Sequence, residues 1–472
     1  MATLASMVAA YRSGAKATDL IDQAFDRIAA YADPALFIAL RDKSEVMTEA
    51  RKLAPGGALH GVPVAVKDNI DVGGMPTTAG CPAYAYTPGR DATVVARLKA
   101  AGALIVGKTN LDQFATGLVG TRSPYGVPRN PLRADLIPGG SSSGSATAVA
   151  AGLVPVALGT DTAGSGRVPA MLNNIVGLKP SLGMLSTAGV VPACRTLDCV
   201  SVFALTVADA WAALAAMAGH DPHDPFSRSI PLGGLGTVPP GVRIGVPAPG
   251  ERIFFGDRLA ADAYTAALGR LEGLGAQVVE FDIEPFYETA RLLYEGPWLA
   301  ERFLTIRDLL ASSPDAIHPV TREIIVEGAR LSAPDAFAAF YKLEGLRRVA
   351  DATFRGVDAL ALPSAPTVYT VAQVLADPVR LNSRLGTYTN FVNLLNLCAV
   401  AVPASLRPDG APFGITLIAP AGRDAFVASI AGAFHAATGL TLGATDLPVP
   451  PPIERDTRPA AGTREAIHKK SA

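Results

Sequence analysis

Two serine-containing loops lie where serine chemistry is possible. The first, PGGSSSGSA at 138–146, opens a run of small residues typical of a tightly packed helix. The second, GTDTAGSGRVPA at 159–170, follows an apolar segment and places Ser165 after small, turn-prone residues. A serine on such a turn exposes its hydroxyl, and the amides before it can form an oxyanion hole. These amides belong to Thr162, Ala163 and Gly164. The alternative for both loops is a plain Gly/Ser turn.

The usual partners of a nucleophilic serine are missing from the sequence. Ser165 lies in Ala-Gly-Ser-Gly-Arg, which lacks the first glycine of a GxSxG elbow, and the six histidines occupy no recognisable motif. The loop at 138–146 is not followed by Gly-Lys-Ser/Thr, which disfavours a nucleoside triphosphate as ligand. If Ser165 is a nucleophile, a base other than histidine must activate it.

Three separated segments together resemble the amidase signature family. They are GVPVAVKDNI with Lys67, PGGSSSGSA with Ser141 and GTDTAGSGRVPA with Ser165, followed by NNIVGLKPSLG at 173–183. The resemblance implies a Ser–cisSer–Lys triad in which Ser165 is the nucleophile. Ser141, on a non-proline cis peptide, would pass the proton between Ser165 and Lys67, and Lys67 would be the general base. It also implies that no cofactor and no metal take part.

If Lys67 is the general base, its surroundings must lower the pKa of its amine. An ordinary lysine is charged at neutral pH, so a base needs a lowered pKa. The segment at 61–70 is rich in β-branched residues and predicts a buried strand that ends at Lys67, so Val62, Val64 and Val66 would desolvate its amine. The alternative is an ion pair with Asp68, which would keep the amine charged.

Within this family, two further segments resemble those of the allophanate hydrolases. They are STAGVVPACRTLDCVSVFA at 186–204 and YEGPWLAER at 294–302. The resemblance implies that Tyr294 and Arg302 hold the carboxylate of a small carboxylated urea, and that Gly117 in FATGLVG contacts its amide end. The substrate would then be allophanate, cleaved at its terminal amide to release ammonia.

The spacing of Tyr294 and Arg302 is compatible with this role. Eight residues span just over two helical turns, so a continuous helix would place both side chains on one face. A guanidinium group binds a carboxylate through two parallel hydrogen bonds. The alternative is an ordinary arginine that is ion-paired with Glu295 or Glu301.

Three other functions remain open at this stage. A general small-amide amidase would share the triad and lose only the carboxylate contact. An amidotransferase component with glutaminase activity would deliver ammonia to a partner, and the balanced charge weighs against it because it acts beside transfer RNA. A catalytically silent binding scaffold is disfavoured because Lys67, Ser141 and Ser165 are all present.

Composition excludes several classes of partner. The chain has 41 basic and 42 acidic residues and a net charge of −1, so no global field favours nucleic acid. No uninterrupted apolar run reaches the roughly 18 residues that cross a bilayer, and the N-terminus lacks a basic region before its apolar stretch. We therefore expect a soluble, cytoplasmic protein without membrane contact. Four cysteines without CxxC spacing, and no HExxH-like pair, predict neither a disulfide framework nor a zinc site.

The elements that position these residues predict an α/β fold. Apolar spacing predicts two helices within residues 2–32, a helix capped by Asp91 and strands at 103–108 and 154–161. Long helical patterns at 257–274, 285–312 and 333–354, around strands at 242–246 and 359–362, predict a helical cover, and strands return at 399–403 and 414–418. With the resemblance, this gives a large mixed β-sheet flanked by α-helices.

The expected organisation is one amidase signature domain over residues 1–447, followed by a proline-rich tail or linker at 448–472. Its parts are N-terminal helices at about 2–55, a catalytic core at about 56–223, a helical cover at about 224–377 and core completion at about 378–447. Related enzymes are often dimers, so a homodimer is expected. Allophanate hydrolases usually carry a further C-terminal domain, which would here be truncated or supplied by a separate partner.

Overall fold

The computed structural model describes residues 2–451, and one mixed sheet of eleven strands runs through that part of the chain. The strands are β1 Phe37–Leu40, β2 Pro63–Lys67, β3 Leu104–Thr109, β4 Val156–Asp161, β5 Val176–Lys179, β6 Cys199–Ala204, β7 Arg243–Pro247, β8 Gln277–Phe281, β9 Ala359–Pro363, β10 Leu397–Leu406 and β11 Pro412–Pro420. Their order in the sheet is β1-β3-β2-β4-β6-β5-β10-β11-β9-β7-β8. The predicted α/β class with a large mixed sheet is confirmed.

Helices cover both faces of this sheet. Across residues 2–451 they are α1 Leu4–Arg12, α2 Ala17–Tyr31, α3 Lys43–Lys52, α4 Thr93–Ala100, α5 Ser143–Ala150, α6 Val168–Leu172, α7 Val207–Met217, α8 Arg258–Gly273, α9 Glu284–Glu295, α10 Trp298–Ser312, α11 Pro319–Val326, α12 Ala333–Gly356, α13 Val371–Ala376, α14 Arg380–Leu385, α15 Phe391–Leu394 and α16 Asp424–Ala436. No helix in this range combines the length and the apolar character that crossing a bilayer requires. The four cysteines are buried and unpaired.

Strands β2 and β4 are the elements that carry catalytic candidates. They pair in parallel, and every residue of both is buried. A strand covered on both faces needs apolar residues throughout, which explains the unbroken run Val64-Ala65-Val66. Lys67 ends β2 and Asp161 ends β4. Both strands therefore deliver their polar residues to the same edge of the sheet.

The helix predicted after Asp91 begins differently. Its N-cap is Ala92, and no side chain caps it. The Asp91 carboxylate instead accepts the Gly73 N–H at 2.8 Å and lies 2.8 Å from Lys99 Nζ. Capping by Asp91 was therefore a wrong prediction, because a distant loop and a lysine compete for the carboxylate.

The segment expected as a helical cover also extends the sheet. Strands β7, β8 and β9 form one end of it, and β8 at Gln277–Phe281 was not predicted. The predicted helix at 285–312 is interrupted: α9 ends at Glu295 and α10 begins at Trp298. Proline lacks the N–H that a continuous helix would need, so the chain turns at Gly296-Pro297.

The tail predicted at 448–472 is described only at its start. Pro448 forms an isolated bridge with Thr441, and the Val449 N–H donates to the Leu440 carbonyl at 3.1 Å. Residues 452–472 lie outside the described chain.

Candidate active site

Lys67 is fully buried at the end of β2 and faces two hydroxyl groups. Its Nζ lies 2.7 Å from Ser141 Oγ and 2.7 Å from Thr160 Oγ1. The Asn69 side-chain amide donates to Thr160 Oγ1 at 3.3 Å, which fixes that hydroxyl. Sequence reasoning did not predict a role for Thr160, although its place at the end of β4, parallel to β2, is the signal that could have revealed it.

Burial lowers the pKa of Lys67 to about 7, against the weaker opposing effect of nearby Asp112 and Asp198. The amine is therefore available in its neutral form near neutral pH. Asp68, the ion-pair partner weighed as an alternative, is engaged elsewhere: its carboxylate lies 3.0 Å from Lys108 Nζ, and both side chains are buried.

Ser141 follows the only cis peptide bond in residues 2–451, Gly140–Ser141, and lies just before α5. Its carbonyl accepts the Asp112 N–H at 3.0 Å. The side chain is fully buried, and within residues 2–451 its one hydrogen bond is with Lys67 Nζ. The structure thus brings together two of the three residues of the predicted triad.

Ser165 lies on the turn between β4 and α6, and 2% of it is exposed. Its hydroxyl points to the Gly117 carbonyl at 3.4 Å, and in the described chain it forms no hydrogen bond with Ser141. The turn is anchored by a buried ion pair, in which Arg167 Nε and Nη2 each lie 2.9 Å from Asp161. The hydrogen bond between Lys67 and Ser141 is therefore formed, whereas none joins Ser141 to Ser165 in the described chain.

The amides predicted for the oxyanion hole differ from one another. The Gly164 N–H donates to Asp161 Oδ1 at 3.0 Å, so it is already used. Within residues 2–451 the amides of Thr162, Ala163 and Ser165 donate to no acceptor. The amide of Ser165 itself was not among the predicted donors, and an oxyanion next to the nucleophile is where such free amides act.

Asp198 contacts the same turn through the Thr162 hydroxyl. Its carboxylate accepts the Thr162 hydroxyl and the Ala193 N–H, the latter at 2.8 Å. Burial raises the pKa of Asp198 to about 6, while the hydrogen bonds from Thr162 and from backbone amides oppose that shift. This carboxylate was not predicted as part of the site.

Arg302 and Tyr294 meet across the break between α9 and α10. The guanidinium carbon lies 5.5 Å from the centre of the Tyr294 ring, so the two side chains are neighbours although one helix does not carry both. The prediction of a shared helix face was wrong, because Pro297 interrupts the helix. The contact arises from the turn instead.

The Arg302 guanidinium is buried, with 2% of the residue exposed. Nη1 donates to Thr116 Oγ1 at 3.1 Å and to the Ala115 carbonyl at 3.5 Å, whereas Nε and Nη2 have no partner in the described chain. The Glu301 carboxylate accepts from Thr196 instead, at 2.7 and 2.8 Å. Arginine stays charged in proteins, so this site holds a buried cation with two free donors.

One loop, residues 112–122, lies between Arg302 and Ser165, and we call it the Gly117 loop. Thr116 faces Arg302 and Gly117 faces Ser165. Phe114 and Ala115 both adopt positive φ values, 52° each, in the left-handed region that such residues rarely occupy. Such a conformation persists only where the surroundings fix it.

Tyr294 also borders the two nearest cavities. One, of about 350 Å³, is lined by Leu299, Glu323 and Asn382 among others, and the second, of about 300 Å³, by Tyr287 and Asn390 among others. Tyr294 is half-buried.

Comparison with known proteins identifies the family of the chain. A family model described as Amidase matches residues 19–427. Urea amidolyase from Lachancea kluyveri is 50% identical over 363 residues, which cover 76% of this chain and 20% of that protein. The chain therefore spans only a fifth of the length of that relative. A glutamyl-tRNA(Gln) amidotransferase chain from Symbiobacterium thermophilum is 37% identical over 465 residues, which cover 89% of this chain and 93% of that protein.

A solved structure shares the fold closely. Allophanate hydrolase from Kluyveromyces lactis superposes with a TM-score of 0.88 at 42% identity, covering 92% of this chain and 73% of that one. The family match extends over most of the chain, from α2 into α16, and includes every strand. The predicted family is confirmed: the chain belongs to the amidase family.

Proposed function

We propose that this chain hydrolyses the terminal amide of allophanate, a urea that carries one carboxylate, and releases ammonia. The observation that carries the proposal is Arg302, a buried guanidinium with two donors that lack a partner in the described chain. A buried charge without a partner is costly, so its natural complement is an anionic group on the substrate. The relatives named urea amidolyase and allophanate hydrolase support the same choice.

The proposed reaction begins with a proton relay. Neutral Lys67 takes the proton of the Ser141 hydroxyl, and Ser141 takes the proton of Ser165 as the Ser165 side chain turns from the Gly117 carbonyl. Ser165 Oγ then bonds to the amide carbon, and the carbonyl electron pair moves to its oxygen. Free amides of the turn, among them those of Ala163 and Ser165, stabilise this oxyanion.

Collapse of the tetrahedral intermediate breaks the C–N bond. Lys67 returns the proton through Ser141 to the leaving nitrogen, which departs as ammonia and leaves an acyl group on Ser165. Water, deprotonated by the same relay, then attacks the acyl carbon; the bond to Ser165 Oγ breaks, the relay returns the proton to that oxygen, and the N-carboxylated carbamate is freed. Every proton transferred in this scheme is held by Lys67, Ser141 or Ser165.

Positioning of the substrate is assigned to the other end of the site. Arg302 Nε and Nη2 bind the carboxylate, and the Tyr294 ring closes over it. The Gly117 carbonyl, next to Ser165 Oγ, accepts an N–H of the amide that is cleaved. The substrate is thereby held at both ends, which favours reaction of the bound molecule over one that collides at random.

A second candidate is supported by the amidotransferase relatives, which this chain covers almost completely. In that case the substrate would be glutamine, and a partner would receive the ammonia. Ammonia release measured on allophanate, glutamine and acetamide with one enzyme preparation separates the candidates. We expect turnover of allophanate to exceed the others by at least about a hundredfold; equal or higher turnover of glutamine would contradict the proposal.

Assembly and location belong to the same proposal. We infer that the chain works as a homodimer in the cytoplasm, and that the N-carboxylated product is processed by another domain or a separate protein. Sedimentation at micromolar concentration tests the first point, since a single 48.6 kDa species would contradict it.

A further inference from the structure

Asn382 connects the wall of a cavity to the peptide beside the nucleophile. It lies in α14, is 4% exposed and lines the cavity of about 350 Å³ next to Tyr294. Its Oδ1 accepts the N–H of Leu118 at 2.8 Å. Because only an oxygen can accept from that N–H, the orientation of the side-chain amide is fixed by the contact.

The peptide between Gly117 and Leu118 is therefore held from one side and active on the other. A trans peptide is planar, and its carbonyl and N–H point in opposite directions. With the Leu118 N–H directed to Asn382, the Gly117 carbonyl is directed away from it, and it meets Ser165 Oγ at 3.4 Å. Rotation of this peptide would move the carbonyl away from the reacting centre.

The neighbouring peptides are held by different side chains. Arg122 Nη1 donates to the Thr116 carbonyl at 2.9 Å, and Asp112 Oδ2 accepts the Val119 N–H at 3.2 Å. Three consecutive peptides of the Gly117 loop are thus each fixed by one buried side chain. Among the three, Asn382 alone holds the peptide whose carbonyl faces the nucleophile.

We propose that Asn382 is a positioning residue of the hydrolytic site. By holding the Leu118 N–H, it keeps the Gly117 carbonyl where that carbonyl accepts an N–H of the amide being cleaved. The inference rests on the proposed function, since it assumes that Ser165 attacks an amide at this place. The role requires the acceptor oxygen of Asn382 and does not require its NH₂ group.

Two substitutions separate these features. Asn382→Leu keeps the size and removes the acceptor, whereas Asn382→Asp keeps an acceptor oxygen for Leu118. We expect Asn382→Leu to lower kcat for ammonia release from allophanate about tenfold with a smaller change in KM, as expected for one lost hydrogen bond. Asn382→Asp should restore kcat to within about threefold of wild type.

A covalent probe measures the reactivity of Ser165 with a reagent that is not an amide. A small dialkyl fluorophosphate bonds through phosphorus to Ser165 Oγ, fluoride leaves and the hydroxyl proton passes to the relay. Since the probe has no N–H for the Gly117 carbonyl, Asn382→Leu should label at a rate within about twofold of wild type. The adduct is located on Ser165 by mass spectrometry.

A matched control comes from α7. Asp209 is buried, and its Oδ2 accepts the Leu4 N–H at 3.1 Å, a long-range side-chain contact of the same kind. Asp209→Leu should lower the melting temperature as Asn382→Leu does and leave kcat unchanged. If Asn382→Leu does not fold, as judged by circular dichroism, Asn382→Ala replaces it in every comparison.

Three outcomes would overturn the inference: a kcat for Asn382→Leu within about twofold of wild type, an equal loss in Asn382→Asp, or a labelling rate that falls in step with kcat. Failure of the proposed function looks different. In that case Ser165→Ala would keep wild-type ammonia release, or wild type would not label at Ser165, whatever Asn382 does.

Discussion

Lys67 and Arg302 are two buried basic residues at opposite ends of one site, and the groups in contact with them differ. Lys67 meets two hydroxyl groups, and burial lowers its pKa to about 7, so it can lose its charge. Arg302 meets one hydroxyl, retains two donors without a partner in the described chain and cannot lose its charge. The first region is therefore suited to moving a proton, and the second to receiving an anion. Burial alone does not distinguish a base from a binding residue; the chemistry of the cation does.

The largest effect is expected at the proton-moving end. Ser165→Ala and Lys67→Met should each lower kcat/KM for allophanate by at least about 10⁴-fold, because the residues act as a unit. The double variant should be no worse than either single one. Ammonia release measures this, with circular dichroism as the check of folding. Additive losses in the double variant would show that Lys67 and Ser165 act separately.

The anion-receiving end should control specificity more than chemistry. Arg302→Ala should lower kcat/KM for allophanate roughly a hundredfold, as expected for the loss of a buried charge contact. Arg302→Lys keeps the charge but loses the planar donor pair, so its loss should be smaller. Acetamide, which has no carboxylate, should react as slowly as with wild type.

Arg97 supplies the matched arginine for this test. It donates to the carbonyls of Met217 and Gly219, both at 2.8 Å, and takes no part in the site. Arg97→Ala should leave allophanate turnover unchanged. Unchanged allophanate turnover in Arg302→Ala would instead contradict the proposed contact between Arg302 and the substrate carboxylate, and it would favour a general amidase.

The dependence on pH tests whether Lys67 is the group that loses a proton. Below pH 7 the charged amine predominates, so kcat/KM should fall about tenfold for each unit of pH. Above about pH 7 it should level off. Asp198, whose pKa is about 6, would give a second inflection, and Asp198→Asn should remove that one. The limb of Lys67 should persist in Asp198→Asn and move to lower pH, because the charge of Asp198 raises the pKa of Lys67. Complete loss of that limb in Asp198→Asn would exclude Lys67 as its source.

The smallest effect is expected at Thr116, which holds Arg302 without contacting the substrate. Thr116→Val removes the hydroxyl that accepts from Nη1, and we expect KM for allophanate to rise about fivefold with little change in kcat. Thr116→Ser keeps the hydroxyl and should behave as wild type. A fall in kcat without a change in KM would place Thr116 in the proton-moving region instead.

The two regions also differ in how far the sequence predicts them. The proton-moving end depends on residues inside contiguous segments, so Lys67, Ser141 and Ser165 could be named from local patterns. Their neighbour Thr160 was missed although its place near the end of β4 was a usable signal, and Asp198 could not be predicted because its contacts depend on the packing of a distant turn. The amide of Gly164 was predicted to be free, and the structure directs it to Asp161.

At the anion-receiving end the structure brings the predicted pair together, but not for the predicted reason. Tyr294 and Arg302 are neighbours because Pro297 turns the chain, not because one helix carries both. Asn382 and Arg122 carry no motif, and their contacts with the Gly117 loop depend on side-chain packing that periodicity does not reveal. The edge strand β8 was missed because its residues are half exposed and its polar positions resemble a loop.

The order of the sheet has a consequence for synthesis on the ribosome. Of the eleven described strands, β10 and β11 are the last to be made, yet they lie inside the sheet, between β5 and β9. Until β10 has left the exit tunnel β5 presents an unpaired edge, and until β11 has left it β9 presents another. Open strand edges are templates for association with other chains. A nascent chain that stalls before β10 is released therefore exposes both edges to its neighbours; release of β10 closes the edge of β5, and release of β11 closes that of β9.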